Sequence, residues 1–154
     1  SIFAEVPFKN AMIAKNWFPA ANGRMIVSNP QPDIVSFYVP KFTNTNRWIC
    51  PKYIFKPGDS VSGYIGMAFD FREFTTIHRP EKAITLVAST ERGGKVPVDN
   101  GFRTAKDEKW HTYNVYFSVD EEFLKQVKEF RIGGASRTDE LRWEVRNLRL
   151  LKLK

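Results

Sequence analysis

Two histidines, a single cysteine and three adjacent acid pairs are the side chains here that could carry a reaction. His78 sits in Thr76-Ile77-His78-Arg79-Pro80, a loop by its composition, and His111 follows Trp110 where a strand begins. Neither has a partner at the spacing that metal ligands need. Cys50 rules out an intramolecular disulfide and a cysteine-based cluster, and no histidine lies near it in sequence to activate it. The pairs Asp107-Glu108, Glu121-Glu122 and Asp139-Glu140 fall at strand or turn ends. Glycosidase carboxylates must face each other across a sugar, and these read as solvated turns. Gly93-Gly94 and Gly133-Gly134 do not precede a helix with a Lys-Ser or Lys-Thr signature, so no phosphate loop is supported. The residues therefore assign no catalytic group, no metal site and no cofactor, and the chain reads as a protein that is not an enzyme.

Binding is better supplied. Aromatic residues make up 14% of the chain, with four Trp. A flat ring can cover the apolar C–H face of a sugar, while Arg, Asn, Asp and Glu meet its hydroxyl rim. Trp48, beside Arg47, is expected on the outer row of its strand, with Glu129 and Arg131 on the outer row of the strand placed next to it. Trp17 lies in an N-terminal loop that could fold over one edge. Each has a plainer reading beside it. Trp48 could cover a small secondary core, Trp17 could be a packing residue, and Glu129 with Arg131 could be a surface ion pair worth little. Trp110 and Trp143 are expected in the core, because Trp buries a large area. Tyr64, Asn114, Tyr116 and Arg142 form a second possible surface on the other sheet, with the composition of an oligomer interface.

These side chains must be held by strands. Turn residues separate alternating segments at 34–40, 47–55, 60–71, 83–89, 96–103, 111–119, 127–133 and 141–151, about eight strands in all. The stretch Phe55-Lys56-Pro57-Gly58-Asp59-Ser60-Val61-Ser62-Gly63-Tyr64-Ile65-Gly66-Met67-Ala68-Phe69-Asp70 reads as a Pro-Gly-Asp turn feeding a central strand. Val61, Ile65, Met67 and Phe69 are predicted to face inward. In 111–119 the inner row is Tyr113, Val115, Phe117 and Val119. Asp120 is a candidate N-cap for a single helical turn, and the last strand changes phase near Arg146-Asn147, which implies a β-bulge. The pattern predicts an all-β fold, a two-sheet antiparallel β-sandwich of the jelly-roll type. The first, third, sixth and eighth strands would form one sheet and the remaining four the other. Residues 1–30 are read as an irregular N-terminal segment packing on it.

Size and charge bound the rest. The 154 residues, 42% hydrophobic and 27% charged, suggest a single globular domain over 1–154. No apolar run is long enough to enter and span a membrane, and no signal peptide is visible. The chain opens at Ser1 rather than Met, which reads as a processed or trimmed piece of a longer product. A net charge of +7 suits solubility or an acidic partner. The charges are spread along the chain rather than striped, which argues against nucleic acid.

Three segments together carry a resemblance. Phe55-Lys56-Pro57-Gly58-Asp59-Ser60-Val61-Ser62-Gly63 resembles the turn-plus-strand of galactose-binding-like jelly-roll carbohydrate-binding modules. Lys109-Trp110-His111-Thr112-Tyr113-Asn114-Val115-Tyr116-Phe117 is similar to their later Trp-led strand. Phe130-Arg131-Ile132 and Leu141-Arg142-Trp143-Glu144-Val145-Arg146-Asn147-Leu148-Arg149-Leu150 are similar to their closing pair. The family often places an acid before the final Asn to help hold a structural calcium; here Arg146 stands there, a departure from that calcium-holding pattern. The same module occurs in glycan-degrading enzymes and in bacteriophage tail and receptor-binding proteins. The resemblance implies a non-catalytic glycan-binding module of a larger extracellular or virion-surface protein, with a polysaccharide or cell-surface glycan as partner. The competing expectation is a structural or homo-oligomerisation domain that uses the Tyr116 and Arg142 face or the apolar arm Ile2-Phe3.

Overall fold

A computed structural model describes residues 2–19, 25–40, 47–49, 51–74, 81–88, 95–103, 105, 107–136 and 140–154, and only the backbone of residues 47–49, 81–87, 95–103 and 133–136. In chain order the strands are β1 (Phe3–Pro7), β2 (Trp17–Phe18), β3 (Ile26–Gln31), β4 (Ile34–Val39), β5 (Arg47–Ile49), β6 (Lys52–Ile54), β7 (Gly66–Glu73), β8 (Glu81–Ala88), β9 (Lys95–Arg103), β10 (His111–Tyr116), β11 (Val127–Ser136) and β12 (Leu141–Leu153). One helical turn, α1 (Glu121–Leu124), precedes β11, and the Asp120 carboxylate caps it by accepting from the Phe123 N–H at 2.9 Å.

The strands form two antiparallel sheets. The first runs β10–β7–β12–β4–β3, and β1 pairs with the second half of β12 on the side where β4 pairs with the first half. The second runs β2–β6–β11–β8–β9, with β5 continuing the β6 edge along β11. This is the predicted sandwich and the predicted division of strands, with β7 between β10 and β12. The bulge is also present: the β12–β7 register shifts between Arg146 and Arg149, and Asn147 takes φ +52°.

Three expectations change. The strand placed at 47–55 is divided into β5 and β6, with Pro51 outside both. The strand placed at 60–71 starts only at Gly66. Val61 to Tyr64 instead form a turn, closed by the Tyr64 N–H donating to the Val61 carbonyl, with Gly63 at φ +81°. The N-terminal segment is less irregular than its composition suggests. Two 3-10 turns, Lys9–Met12 and Ala14–Asn16, link β1, which extends the first sheet, to β2, which extends the second. The segment therefore binds both layers.

The interior is aromatic. Phe37, Phe69, Phe71 and Trp143 enter from the first sheet, and Tyr53, Phe130 and Ile132 from the second; all are 0–1% exposed. Trp143 stacks on Phe37 at 5.6 Å between ring centroids. Val115 is buried in the inner row of β10, with Tyr113 and Phe117 packed against the same cluster. The Pro-Gly-Asp turn is pinned to this core. Gly58 takes φ +91°, and Asp59 accepts from the Tyr53 hydroxyl at 2.5 Å, the Lys56 N–H at 2.9 Å and the Asn10 side chain at 3.0 Å. Burial, reinforced by that carboxylate, pushes the Tyr53 phenol up, so it stays a neutral donor.

Candidate functional site

The outer face of the second sheet is built by alternation. Tyr53 and Phe130 point inward and are fully buried, so their neighbours Lys52, Ile54, Glu129 and Arg131 point outward. Register aligns them: Phe18 pairs with Lys52, Lys52 with Arg131, and Ile54 with Glu129. Phe18, Lys52 and Arg131 therefore form one row across three strands, about 10 Å from end to end. Phe18 is 56% exposed, and the Lys52 ammonium sits 5.9 Å from its ring centroid. Arg131 donates from Nε to the Glu129 carboxylate at 2.6 Å, with the two side chains only 16% and 19% exposed. That pair is shielded and fixed, unlike a loose surface pair. The row offers an apolar ring, ammonium and guanidinium donors, and carboxylate acceptors on one face.

The other predicted residues fall differently. Trp17 is a correction. It is 5% exposed, its indole N–H donates to the Ala11 carbonyl at 2.7 Å, and its ring meets Phe37, Phe130 and Tyr53 edge-on at 5.0, 5.3 and 5.5 Å. It bolts the two sheets together and has no face left for a ligand. Trp48 pairs with Ala135 and Arg47 with Ser136 in the β5–β11 ladder, two pleats beyond Arg131; their side chains lie outside the described residues. Cys50, His78, the Gly93-Gly94 pair and Asp139 also lie outside them. Sequence reasoning missed Phe18 and Lys52. The available signal was alternation itself: if one of Trp17 and Phe18 in β2 is buried, the other must face out.

The second surface proposed on the first sheet does not form. Arg142 lies at one end of β12, whereas Tyr116 pairs with Gly66, which pairs with Leu151 near the other, about 30 Å away. Tyr64 packs against the core. Trp110 is the second correction, because it lies on the outer face rather than in the core. The guanidinium of Arg146 stands 4.2 Å and that of Arg72 4.6 Å from its ring centroid. Arg72 also approaches the Phe74 ring at 5.0 Å, and Arg142 approaches it at 4.5 Å. The result is a ladder, Arg142–Phe74–Arg72–Trp110–Arg146, in which cations and rings alternate. Glu144, 1% exposed, accepts from Arg72 Nε at 2.7 Å, and Asp70 accepts from Arg146 at 2.9 Å and from the Thr112 hydroxyl at 2.8 Å.

The acid pairs do structural work. Glu121 accepts from the Ser62 hydroxyl and from the Gly63 N–H, and these bonds hold its carboxyl below the usual range. Asp107 is likewise held low, first by the Lys109 N–H and then by His111, whose Nε2 lies 2.8 Å away. Glu140 accepts from the Tyr38 hydroxyl at 3.3 Å. Among the described residues no group of three or more His, Cys, Asp or Glu is placed to hold a metal ion, and no helix is long and apolar enough to cross a membrane.

No protein-family model and no curated protein sequence matches the chain. Solved structures do. The chain is similar to the family 11 carbohydrate-binding module from Clostridium thermocellum in complex with a β-1,3-1,4-mixed-linked tetrasaccharide, with a TM-score of 0.64, 12% identity, and 99% of this chain and 98% of that one covered. It is similar to the CBM22-1 xylan-binding domain from Paenibacillus barcinonensis Xyn10C, with a TM-score of 0.55, 12% identity and coverages of 98% and 95%. It is also similar to part of an agarase, AgWH50C, with a TM-score of 0.63 and 8% identity, covering 97% of this chain but 25% of that one. At these identities the likeness is one of fold, and the fold is the jelly-roll sandwich that carbohydrate-binding modules use.

Proposed function

We propose that this chain is a non-catalytic carbohydrate-binding module, one part of a larger protein at a cell surface or on a virion, and that it holds a glycan on the outer face of its second sheet. The observation that carries the reading is Phe18, a large ring 56% exposed on a paired strand, in one row with Lys52 and the Glu129–Arg131 pair. A ring fixed by the sheet loses little freedom when a sugar face stacks on it, and the flanking donors and acceptors suit hydroxyls. The register that pairs Trp48 with Ala135, two pleats beyond Arg131, favours including Trp48 in the same face, with Arg47 beside it at the edge. Saccharide-binding proteins of the same fold add support at the level of ligand class. A glycan array followed by calorimetry tests the reading. Phe18→Ala is expected to weaken the best ligand about tenfold, and Trp48→Ala to weaken it as well. Silence of the whole array would contradict the proposal.

A second reading is an oligomerisation domain. Ile2, Tyr116 and Leu153 are 68%, 49% and 56% exposed around the β1 end of the first sheet. Light scattering separates the two: a stable multimer that ignores glycans supports the second, and a glycan-binding monomer rejects it.

A further inference from the structure

We propose that the ligand of this face is an acidic polysaccharide, with a carboxylate or sulfate ester on the Lys52 ammonium and the ring face of an adjoining sugar on Phe18; the inference rests on the glycan-binding reading above. Ion pairing differs between the two outer faces. On the first sheet Arg72 and Arg142 share Glu144, Arg146 holds Asp70, and Arg149 holds Glu5 at 3.2 Å. On the second sheet Arg131 is matched by Glu129. Lys52 differs. It stands between Phe18 and Arg131 in the row, and among the described residues no carboxylate lies within ion-pair distance of it. With Glu129 cancelling Arg131, the row keeps one net positive charge, centred beside its exposed ring.

An ammonium in that position does two things that a neutral glycan would not use. It attracts an anion from a distance, helped by the +7 charge of the whole chain. It can also donate a charge-assisted hydrogen bond to a carboxylate or sulfate oxygen, stronger than one to a hydroxyl. Adjacent rungs are separated by one strand spacing, about 5 Å. An acidic substituent and the apolar face of the adjoining sugar can therefore contact Lys52 and Phe18 together. The plainer use of Lys52 is to lay its stem along Phe18 with its head in water, and that use would leave anionic and neutral glycans indistinguishable.

The test uses the full chain and matched polymers that differ in charge. Polygalacturonate is compared with its methyl ester, and a sulfated galactan with neutral agarose, at low and at moderate salt. At least one anionic polymer is expected to bind about tenfold tighter than its neutral counterpart, and which one identifies the carboxylate or the sulfate as the group read. Raising salt should erode that preference. Lys52→Gln should abolish it, and Lys52→Arg should retain most of it. Equal binding of charged and neutral partners, unchanged in Lys52→Gln, overturns the acidic-ligand inference and leaves the glycan reading standing. An anionic preference that single-stranded DNA shares, and that neither Lys52→Gln nor Phe18→Ala alters, also overturns it, because diffuse charge would then be the cause. Failure of all four polymers while other glycans on the array bind also overturns the acidic-ligand inference, and silence of the array as well sinks the glycan reading itself.

Discussion

The outer faces of the two sheets use the same ingredients, rings and cations, in opposite ways. On the first, each guanidinium of the Arg142–Phe74–Arg72–Trp110–Arg146 ladder lies over a ring, and each also has a carboxylate beside it, Glu144 for Arg72 and Arg142 and Asp70 for Arg146. Rings and cations there satisfy one another, so a ligand would have to break contacts before making any. On the second, Lys52 reaches only the outer limit of contact with Phe18, 5.9 Å from its ring centroid, so Phe18 keeps more than half of its surface in water, and Lys52 has no acid partner among the described residues. A face whose groups are already matched contributes to holding a fold, and a face with groups left over can hold something else.

That contrast can be strained at several points. The largest effect is expected at the residue lying between the faces. Trp17→Ala removes a buried indole that touches both sheets and should cost about 4 kcal/mol in urea unfolding, enough to threaten folding altogether. Next is the matched face. Arg72→Ala strips the main partner from a carboxylate that is 1% exposed, and should cost about 3 kcal/mol while leaving glycan affinity unchanged. A loss of affinity without a loss of stability in that variant would invert the assignment of the two faces.

The smallest effect is a pH dependence that belongs to neither face. Bonds from Ser62 and Gly63 favour the ionised form of Glu121 in the folded state, so its folded pKa lies below the unfolded one. Its contribution is present above the unfolded value, about pH 4.3, and fades as pH falls through the folded value. Thermal melts between neutral and acid pH should show Glu121→Gln with a shallower fall in stability over that window than the parent chain.

Much of this architecture was legible in the sequence, and the reason is physical. Period-two alternation in 111–119 and 141–151, bounded by Asp107-Glu108, Asp120 and Asp139-Glu140, is a direct readout of half-buried strands, and the jelly-roll order of the strands supplied their division between sheets. The bulge at Arg146-Asn147 was visible because a phase change cannot be absorbed any other way. What alternation could not supply was the sign of a two-residue strand. Trp17 and Phe18 are equally apolar neighbours, and only the packing of Phe37, Tyr53 and Phe130 decides that the indole goes in and the phenyl out. Trp110 misled for a related reason. A Trp at a strand start reads as core until the arginines stacked against it, remote in sequence at Arg72 and Arg146, are brought beside it by the β7–β10 and β7–β12 pairings.

The central claim is that Phe18 supplies the ring on which a glycan stacks, and one pair of measurements on one variant tests it most directly. Phe18→Ala should melt within about 2 °C of the parent chain, since the ring is largely in water, while its calorimetric affinity for the best glycan falls about tenfold. An affinity equal to that of the parent, with the fold intact, would contradict the account.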